Sequence, residues 1–293
     1  HAAGLDPGVW HLMTGRPYMV RLMPGLHEMK VPIRGRDVAG RVEAVGSGVS
    51  GFARGDEVMG IVEGSFAELA VARPDKLVRK PANVSLEQAA AVPISGLTAL
   101  QALRDEGRVR PGQRVLIVGA GGGVGTFAVQ IARAFGAHVT GVAGSDKLDL
   151  VRSIGADVVI DYTREDFADG ARAWDVIVDT AGRSPLRRLR RALARTGTAV
   201  LVGGEGGGPL LGGFDRQIVR APLMSLAGKQ RFRSLTSEER LEDLVELAGL
   251  IEAGKVVPVV GRTYPLAEVP DALRELERGH ARGKTVIRVV EAA

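Results

Sequence analysis

From about residue 114 onward, short apolar runs alternate with stretches whose apolar positions recur every three or four residues. Runs at 114–118, 138–143, 157–161, 175–180 and 198–202 predict strands. The stretches between them predict helices, one carrying Phe127, Ile131, Ala134 and Phe135 on a single side, another spanning 147–154. Strands alternating with helices imply βαβ units and a parallel sheet. Up to about residue 91 the pattern differs. Short apolar stretches are broken by Gly and Pro, which predicts a mainly β region with strands over 38–49 and 57–62 and a tight turn at Gly55-Asp56. Ser85-Leu86-Glu87-Gln88 has the form of a capping box, and a second helix is expected over 96–105 after Pro93 interrupts. Thr236-Ser237-Glu238-Glu239 reads as the cap of an amphipathic helix over 238–253. A strand at 256–260, a helix at 268–278 and a last strand at 284–290 complete the pattern. The glycine-rich stretch 203–213 is expected to be a mobile loop, and the segment from there to Phe232 shows no readable period.

Composition narrows the function classes. The chain has 293 residues, 45% hydrophobic and 25% charged, which suits one or two globular domains and argues against a disordered or fibrous protein. It contains no cysteine, so disulfides, iron–sulfur clusters, thiolate zinc sites and cysteine nucleophiles are excluded. His1, His11, His27, His138 and His280 are scattered without ligand spacing, so no metal site is expected. No run reaches the roughly 18 apolar residues of a membrane span, and no secretory signal is visible, so the expected compartment is the cytoplasm. The formal charge is +5. Its densest source is Arg187, Arg188, Arg190, Arg191 and Arg195, spread around one helix, which reads as a solvated surface. No motif supports nucleic-acid binding. The apolar and basic stretch 218–232 leaves membrane contact or a dimer surface open.

The chemistry-bearing motif is Val118-Gly119-Ala120-Gly121-Gly122-Gly123-Val124-Gly125. It follows a predicted strand and opens a predicted helix, as a dinucleotide fingerprint does. Gly122 and Gly125 have the spacing of the second and third glycines of that fingerprint, with Ala120 at the first. Gly122 would let a pyrophosphate approach the backbone, and Gly125 would let the helix pack close to the sheet. The helix N-terminus would then face the phosphates. An NAD site carries a carboxylate at the end of the second strand; here that end reads Ala143-Gly144-Ser145, with Lys147 just beyond. Ser145 and Lys147 as donors favour NADPH, while Asp146 is expected to point away.

These motifs, taken in order, resemble the medium-chain dehydrogenase/reductase superfamily in its zinc-free quinone oxidoreductase (zeta-crystallin-like) branch. The likeness runs through Ala2-Ala3-Gly4-Leu5-Asp6-Pro7, Gly35-Arg36-Asp37-Val38-Ala39-Gly40, Gly55-Asp56-Glu57-Val58, Ala91-Val92-Pro93, Gly96-Leu97-Thr98-Ala99, Pro111-Gly112-Gln113 and Gly279-His280-Ala281-Arg282-Gly283-Lys284. It implies an α/β architecture: a GroES-like β-barrel catalytic domain (1–94 and 259–293, with its first strands absent before His1) and a Rossmann doubly wound parallel-sheet domain (95–258). Zinc-dependent relatives have Gly-His-Glu where this chain has Gly35-Arg36-Asp37, and a cysteine ligand where it has Asp6. The resemblance implies hydride transfer from NADPH to a small electron-poor acceptor, a quinone or an α,β-unsaturated carbonyl, whose conjugated oxygen receives the charge without a metal. Enoyl-thioester reduction and a non-catalytic NADPH-binding role are the alternatives.

Residue by residue, Thr98 resembles a nicotinamide contact, and Asp6 stands where quinone reductases have an asparagine near the substrate. Tyr162 resembles the tyrosine beside the adenosine phosphate, Lys284 a tail lysine near the same phosphate, and Asp179 the strand end bordering the ribose. Gly203 and Gly204 match glycines near the nicotinamide. Gly119, Gly122, Gly123, Val124 and Gly125 complete the expected cofactor set. Trp10, Met13 and Tyr18 are candidate pocket walls or barrel-lid core, with Tyr18 a candidate proton donor. A homodimer is the expected assembly.

Overall fold

Two six-stranded sheets organise the chain in a computed structural model that describes residues 1–22, 33–204, 210–226, 228–279 and 281–290. Contacts divide it into one unit of His1–Thr14, Pro24–Leu97 and Glu238–Ala293, and a second of Gly15–Met23 and Thr98–Ser237. The expected boundaries at 94/95 and 258/259 therefore shift. The first falls inside a helix, and the segment 238–258 joins the first unit. Of the expected features, His27, His280 and residues 205–209 of the glycine-rich loop lie outside the described residues.

In the first unit the sheet runs β11-β12-β1-β2-β3-β4. Its strands are β1 (Ala2–Leu5), β2 (Asp37–Arg41), β3 (Glu57–Ile61), β4 (Leu77–Arg79), β11 (Val260–Pro265) and β12 (Lys284–Arg288). The two ends of the sequence meet here: β1 pairs antiparallel with β12, Ala2 opposite Arg288 and Leu5 opposite Thr285. The helices of this unit are α1 (Pro7–Thr14), α2 (Leu86–Ala90), the start of α3 (Pro93–Gln101), α8 (Leu241–Glu252) and α9 (Val269–Arg278). The capping box forms as read: the Gln88 amide donates to Ser85 Oγ at 3.1 Å, and Gln88 Oε1 accepts from the Ser85 amide at 3.0 Å. Pro93 opens α3 rather than interrupting a helix, because a first-turn position needs no N–H. The expected cap at 236–239 does not form. Arg240 precedes α8 without a side-chain cap, while Glu238 pairs with Arg240 and Glu239 is held by Arg36 and Lys76. The strand expected at 256–260 lies later, at β11, where it pairs in parallel with β12.

The second unit is a parallel sheet in the order β10-β9-β8-β5-β6-β7. It comprises β5 (Arg114–Val118), β6 (His138–Ala143), β7 (Val158–Asp161), β8 (Trp174–Asp179), β9 (Leu193–Leu201) and β10 (Arg231–Ser234). The helices α4 (Gly123–Ala134), α5 (Leu148–Ser153), α6 (Leu186–Ala192) and α7 (Ala221–Leu226) belong to it. The chain first builds outward from β5 through β6 to β7, then returns to β8 on the other side of β5. That reversal makes β5/β8 a topological switch point. The helix after β5 is buried over its whole middle, from Gly125 through Ala132, and so exceeds the one-sided burial expected of it. Two of the α6 arginines are surface groups with a shared partner: Arg188 and Arg191 both bind Asp166, at 2.8 and 3.0 Å, and Arg188 lies 4.2 Å over the Phe167 ring.

Candidate nucleotide site and a buried ion pair

The glycine-rich turn stands at the C-terminal end of β5, beside the switch point. Gly119, with φ +88°, makes the sharp bend, and the position of Ala120, the expected first glycine, is instead a buried side chain. A Cβ at 119 would also come within 2.6 Å of Thr180 Oγ1 on the loop after β8. Gly125 is needed for a different reason: a Cβ there would land on the Gly119 carbonyl oxygen and the Ala120 Cα, so α4 could not seat against the turn. Gly122 caps α4 from an extended conformation, and among the described residues the only atom near its missing Cβ is Gly119 O at 3.5 Å. The turn thus leaves backbone space at Gly122, and Gly123 and Val124 open α4 behind it, where the positive end of the helix dipole lies.

Three further candidates gather around this turn. The aliphatic chain of Lys147 lies against Gly121, whose missing Cβ would be 2.9 Å from Lys147 Cβ and Cδ. The ring of Tyr162, 59% exposed, flanks Gly144. Ser145 follows the end of β6, but its hydroxyl has a partner that sequence reasoning missed: it donates to Asp161 Oδ2 at 2.5 Å. Asp161 ends β7, and its other oxygen accepts from the Thr163 amide at 2.9 Å and the Thr163 hydroxyl at 2.7 Å. The Ser145 hydroxyl, the Thr163 donors and the nearby Arg164 charge hold this carboxyl below its usual range. The β6 end therefore does have a carboxylate beside it, supplied from the neighbouring strand. Parallel pairing of Ala143 with Asp161 was the signal that could have revealed it.

The loops after β8 and β9 are knitted together by an arginine that sequence reasoning also missed. Asp179, expected to face a ribose, is fully buried and internally engaged. Its Oδ2 pairs with Arg216 Nη1 at 2.9 Å, and its Oδ1 accepts from the Gly182 amide at 3.2 Å. Arg216 also donates to the carbonyls of Ser184 at 2.6 Å and Gly203 at 3.1 Å. Burial pushes the Asp179 carboxyl up from its ordinary range, opposed by the Arg216 charge and by the amides of Gly182 and Ala181. Gly203 is pressed against the Thr180 carbonyl and Gly182, and Gly204 faces the Phe214 ring. Thr98 is buried in α3.

Lys284, expected near the adenosine phosphate, belongs to the other unit and its charge is engaged there. It is 2% exposed, with its ammonium 2.7 Å from Asp37 Oδ2 and 3.1 Å from Ser95 Oγ. Asp37 Oδ1 accepts from the Ile94 amide at 2.7 Å, so one carboxylate ties β2, β12 and the start of α3. Burial, with the Asp6 charge adding to it, raises the Asp37 carboxyl to about 6 against the opposing pull of Lys284. Asp6 itself precedes α1, and its Oδ1 accepts from the Gly8 amide at 2.8 Å as an N-cap does. Trp10 packs on the core of this unit, while Met13 is exposed. Tyr18 lies in the second unit, 42% exposed and stacked under Arg21.

The first 82 residues match the model of the alcohol dehydrogenase GroES-like domain, and residues 154–287 match that of zinc-binding dehydrogenases. The NAD(P)H oxidoreductase RTN4IP1, mitochondrial, of Mus musculus is 37% identical over 283 residues, covering 87% of this chain and 70% of its own. The chain belongs to the medium-chain dehydrogenase/reductase superfamily, in its quinone oxidoreductase branch. The chloroplast envelope quinone oxidoreductase homolog of Arabidopsis thaliana is 32% identical over 301 residues, covering 98% of this chain and 87% of its own. The structure of the quinone oxidoreductase from Coxiella burnetii superposes with a TM-score of 0.80 at 29% identity, covering 99% of this chain and 89% of that one. One of these family models is named for zinc binding. There is no cysteine, Arg36 is engaged with Glu239, and no group of three or more histidines or carboxylates among the described residues is placed to hold a metal. Among the described residues no helix is long and apolar enough to cross a membrane. The two relatives are named for a mitochondrion and a chloroplast envelope, so they lend no support to a cytoplasmic location.

Proposed function

We propose that this quinone oxidoreductase-branch protein is an NADPH-dependent reductase of quinones or α,β-unsaturated carbonyls. The observation that carries the reading is the Gly119–Gly125 turn at the switch point, with open backbone at Gly122 and Lys147 laid over Gly121. When bound, the nicotinamide cofactor supplies the hydride. The chain's part is to bind and orient. The α4 N-terminus receives the pyrophosphate, and Lys147 with Tyr162 receives the 2′-phosphate. Asp161 stays ionised nearby, its two oxygens turned to the Ser145 and Thr163 donors, so Lys147 has to outweigh its charge. Thr98, Gly203 and Gly204 are assigned to the nicotinamide end. Arg216 holds the Gly203 loop as a positioning residue. The Tyr18 hydroxyl is assigned as proton source for the acceptor oxygen, and the protein works as a homodimer.

The test is oxidation of NADPH with a simple para-quinone, run beside NADH at equal concentration. Faster turnover with NADPH supports the reading. Faster turnover with NADH overturns the cofactor assignment. Calorimetric binding of NADPH without turnover on quinones or enones points to a non-catalytic binding protein, and turnover only on an enoyl thioester points to that substrate class.

A further inference from the structure

A groove of about 1000 Å³ opens in the second unit between the loop after β8, the first turn of α6 and the segment leading into α7. It is at the upper end of the range of small-molecule pockets. None of the residues assigned to the nucleotide lines it. Its walls carry two features that do not belong together on an ordinary surface. Leu210 and Leu223 are more than 60% exposed and Leu211 is 43% exposed, all on this one concavity. Among the described residues, four arginines line the same walls against a single carboxylate, Asp215.

The arginines are not equivalent. Arg220 pairs with Asp215 at 2.9 Å, and Arg216 pairs with Asp179. Arg216 Nε is nonetheless buried without a hydrogen-bond partner among the described residues. Arg183 and Arg187 are exposed and have neither an ion pair nor a hydrogen bond among the described residues. Two unpaired guanidinium groups beside exposed leucines match a ligand with an anionic head and an apolar body, since a guanidinium fork binds a carboxylate with two parallel hydrogen bonds. Concavity selects a single chain over a flat bilayer surface. We propose that this groove binds a single-chain fatty carboxylate, with Arg183 and Arg187 on the head group and Leu210, Leu211 and Leu223 along the chain.

Titration with dansyl-undecanoate as fluorescent probe, below its micelle concentration, tests this in the full chain. Expected are saturable one-to-one binding, displacement by dodecanoate but not by dodecanol, and weakening at high salt. The Arg183→Gln/Arg187→Gln variant should bind the probe roughly tenfold more weakly, the scale of two solvent-facing charge contacts. Its unfolding midpoint should match that of the parent chain, which separates lost contacts from lost fold. Leu211→Asp should weaken the probe as well, through the apolar wall. Equal displacement by dodecanol, or unchanged affinity in the double arginine variant, overturns the proposal. So does sedimentation with anionic vesicles in the absence of probe binding, which would make this face a membrane surface. Probe binding that appears only when the protein is diluted to monomer would assign the leucines to an interface between copies and overturn it too.

Discussion

Replacing Lys284 with methionine should produce a stability defect that grows with pH. In the parent chain the Asp37 carboxyl is raised from its ordinary 3.8 to about 6, burial being the main cause. A raised carboxyl favours the folded state while protonated. Its contribution is therefore complete below about pH 4 and is lost as pH rises through about 6, a span worth at most about 3 kcal/mol. Lys284 is what keeps the value from climbing further. Without the ammonium, Asp37 stays protonated in the folded barrel well above pH 6, while the unfolded chain releases that proton. The deficit relative to the parent should then be small at pH 6 and grow by about 1.4 kcal/mol per pH unit, reaching about 3 kcal/mol at pH 8. That figure meets the lower end of the roughly 3–5 kcal/mol seen when one partner of a buried pair is removed. The assay is hydrogen exchange of peptides from β1 and β12 at pH 6, 7 and 8, corrected for intrinsic exchange, with β5 and β8 peptides as internal reference. Adding Asp37→Asn to Lys284→Met should abolish the slope. A deficit independent of pH would refute the reasoning, since it would mean that Lys284 contributes packing alone.

Four further outcomes follow from other contacts. Gly125→Ala puts a methyl against backbone that cannot move aside, so it should cost about 1–3 kcal/mol in thermal unfolding and weaken nucleotide binding in calorimetry. Lys147→Ala should weaken NADPH by roughly ten- to a hundredfold, the range of one hydrogen bond to a charged group, with NADH affinity unchanged; equal loss for both cofactors would assign Lys147 elsewhere. Arg216→Met leaves Asp179 buried without its counter-charge and should lower stability by about 3 kcal/mol or more at neutral pH, read from urea midpoints of the second unit. Ser85→Ala removes one side of an intact capping box and should cost about 1 kcal/mol in barrel unfolding.

What could be read from residue patterns was the part of the fold that repeats with a period. β5 and β6 lie where their runs were read, because a parallel strand covered on both faces is mostly apolar along its buried length. The short or polar strands were invisible. β10 reads Arg-Phe-Arg-Ser with a single buried side chain and is held as a strand by its pairing with β9. β4 has three residues, too few for any alternation to show. The glycine-rich turn was legible because its sequence and its geometry express the same constraint, close backbone approach. Even there the bend lies at Gly119, one residue before the expected first position, since only the positive φ reveals it.

The polar parts of the site were illegible for a different reason. Asp37, Asp179 and Lys284 are residue types that composition assigns to the surface, and each finds its partner far along the chain: Asp37 with Lys284, Asp179 with Arg216. Only folding brings such partners into contact, and a charge is tolerated inside once its counter-charge arrives with it. The same logic bears on cofactor choice. The absence of a carboxylate on the β6 end is a local fact, but a nucleotide meets the whole sheet edge, where Asp161 arrives from β7. Its effect depends on how completely Ser145 and Thr163 cover it. A Ser145→Ala/Thr163→Ala variant removes both hydroxyl donors and frees Oδ2, while the Thr163 amide still holds Oδ1, and should shift preference toward NADH, the freed oxygen accepting the ribose hydroxyl. Unchanged preference between the two cofactors would mean that Asp161 lies outside the reach of the ribose, and that Lys147 alone sets the choice.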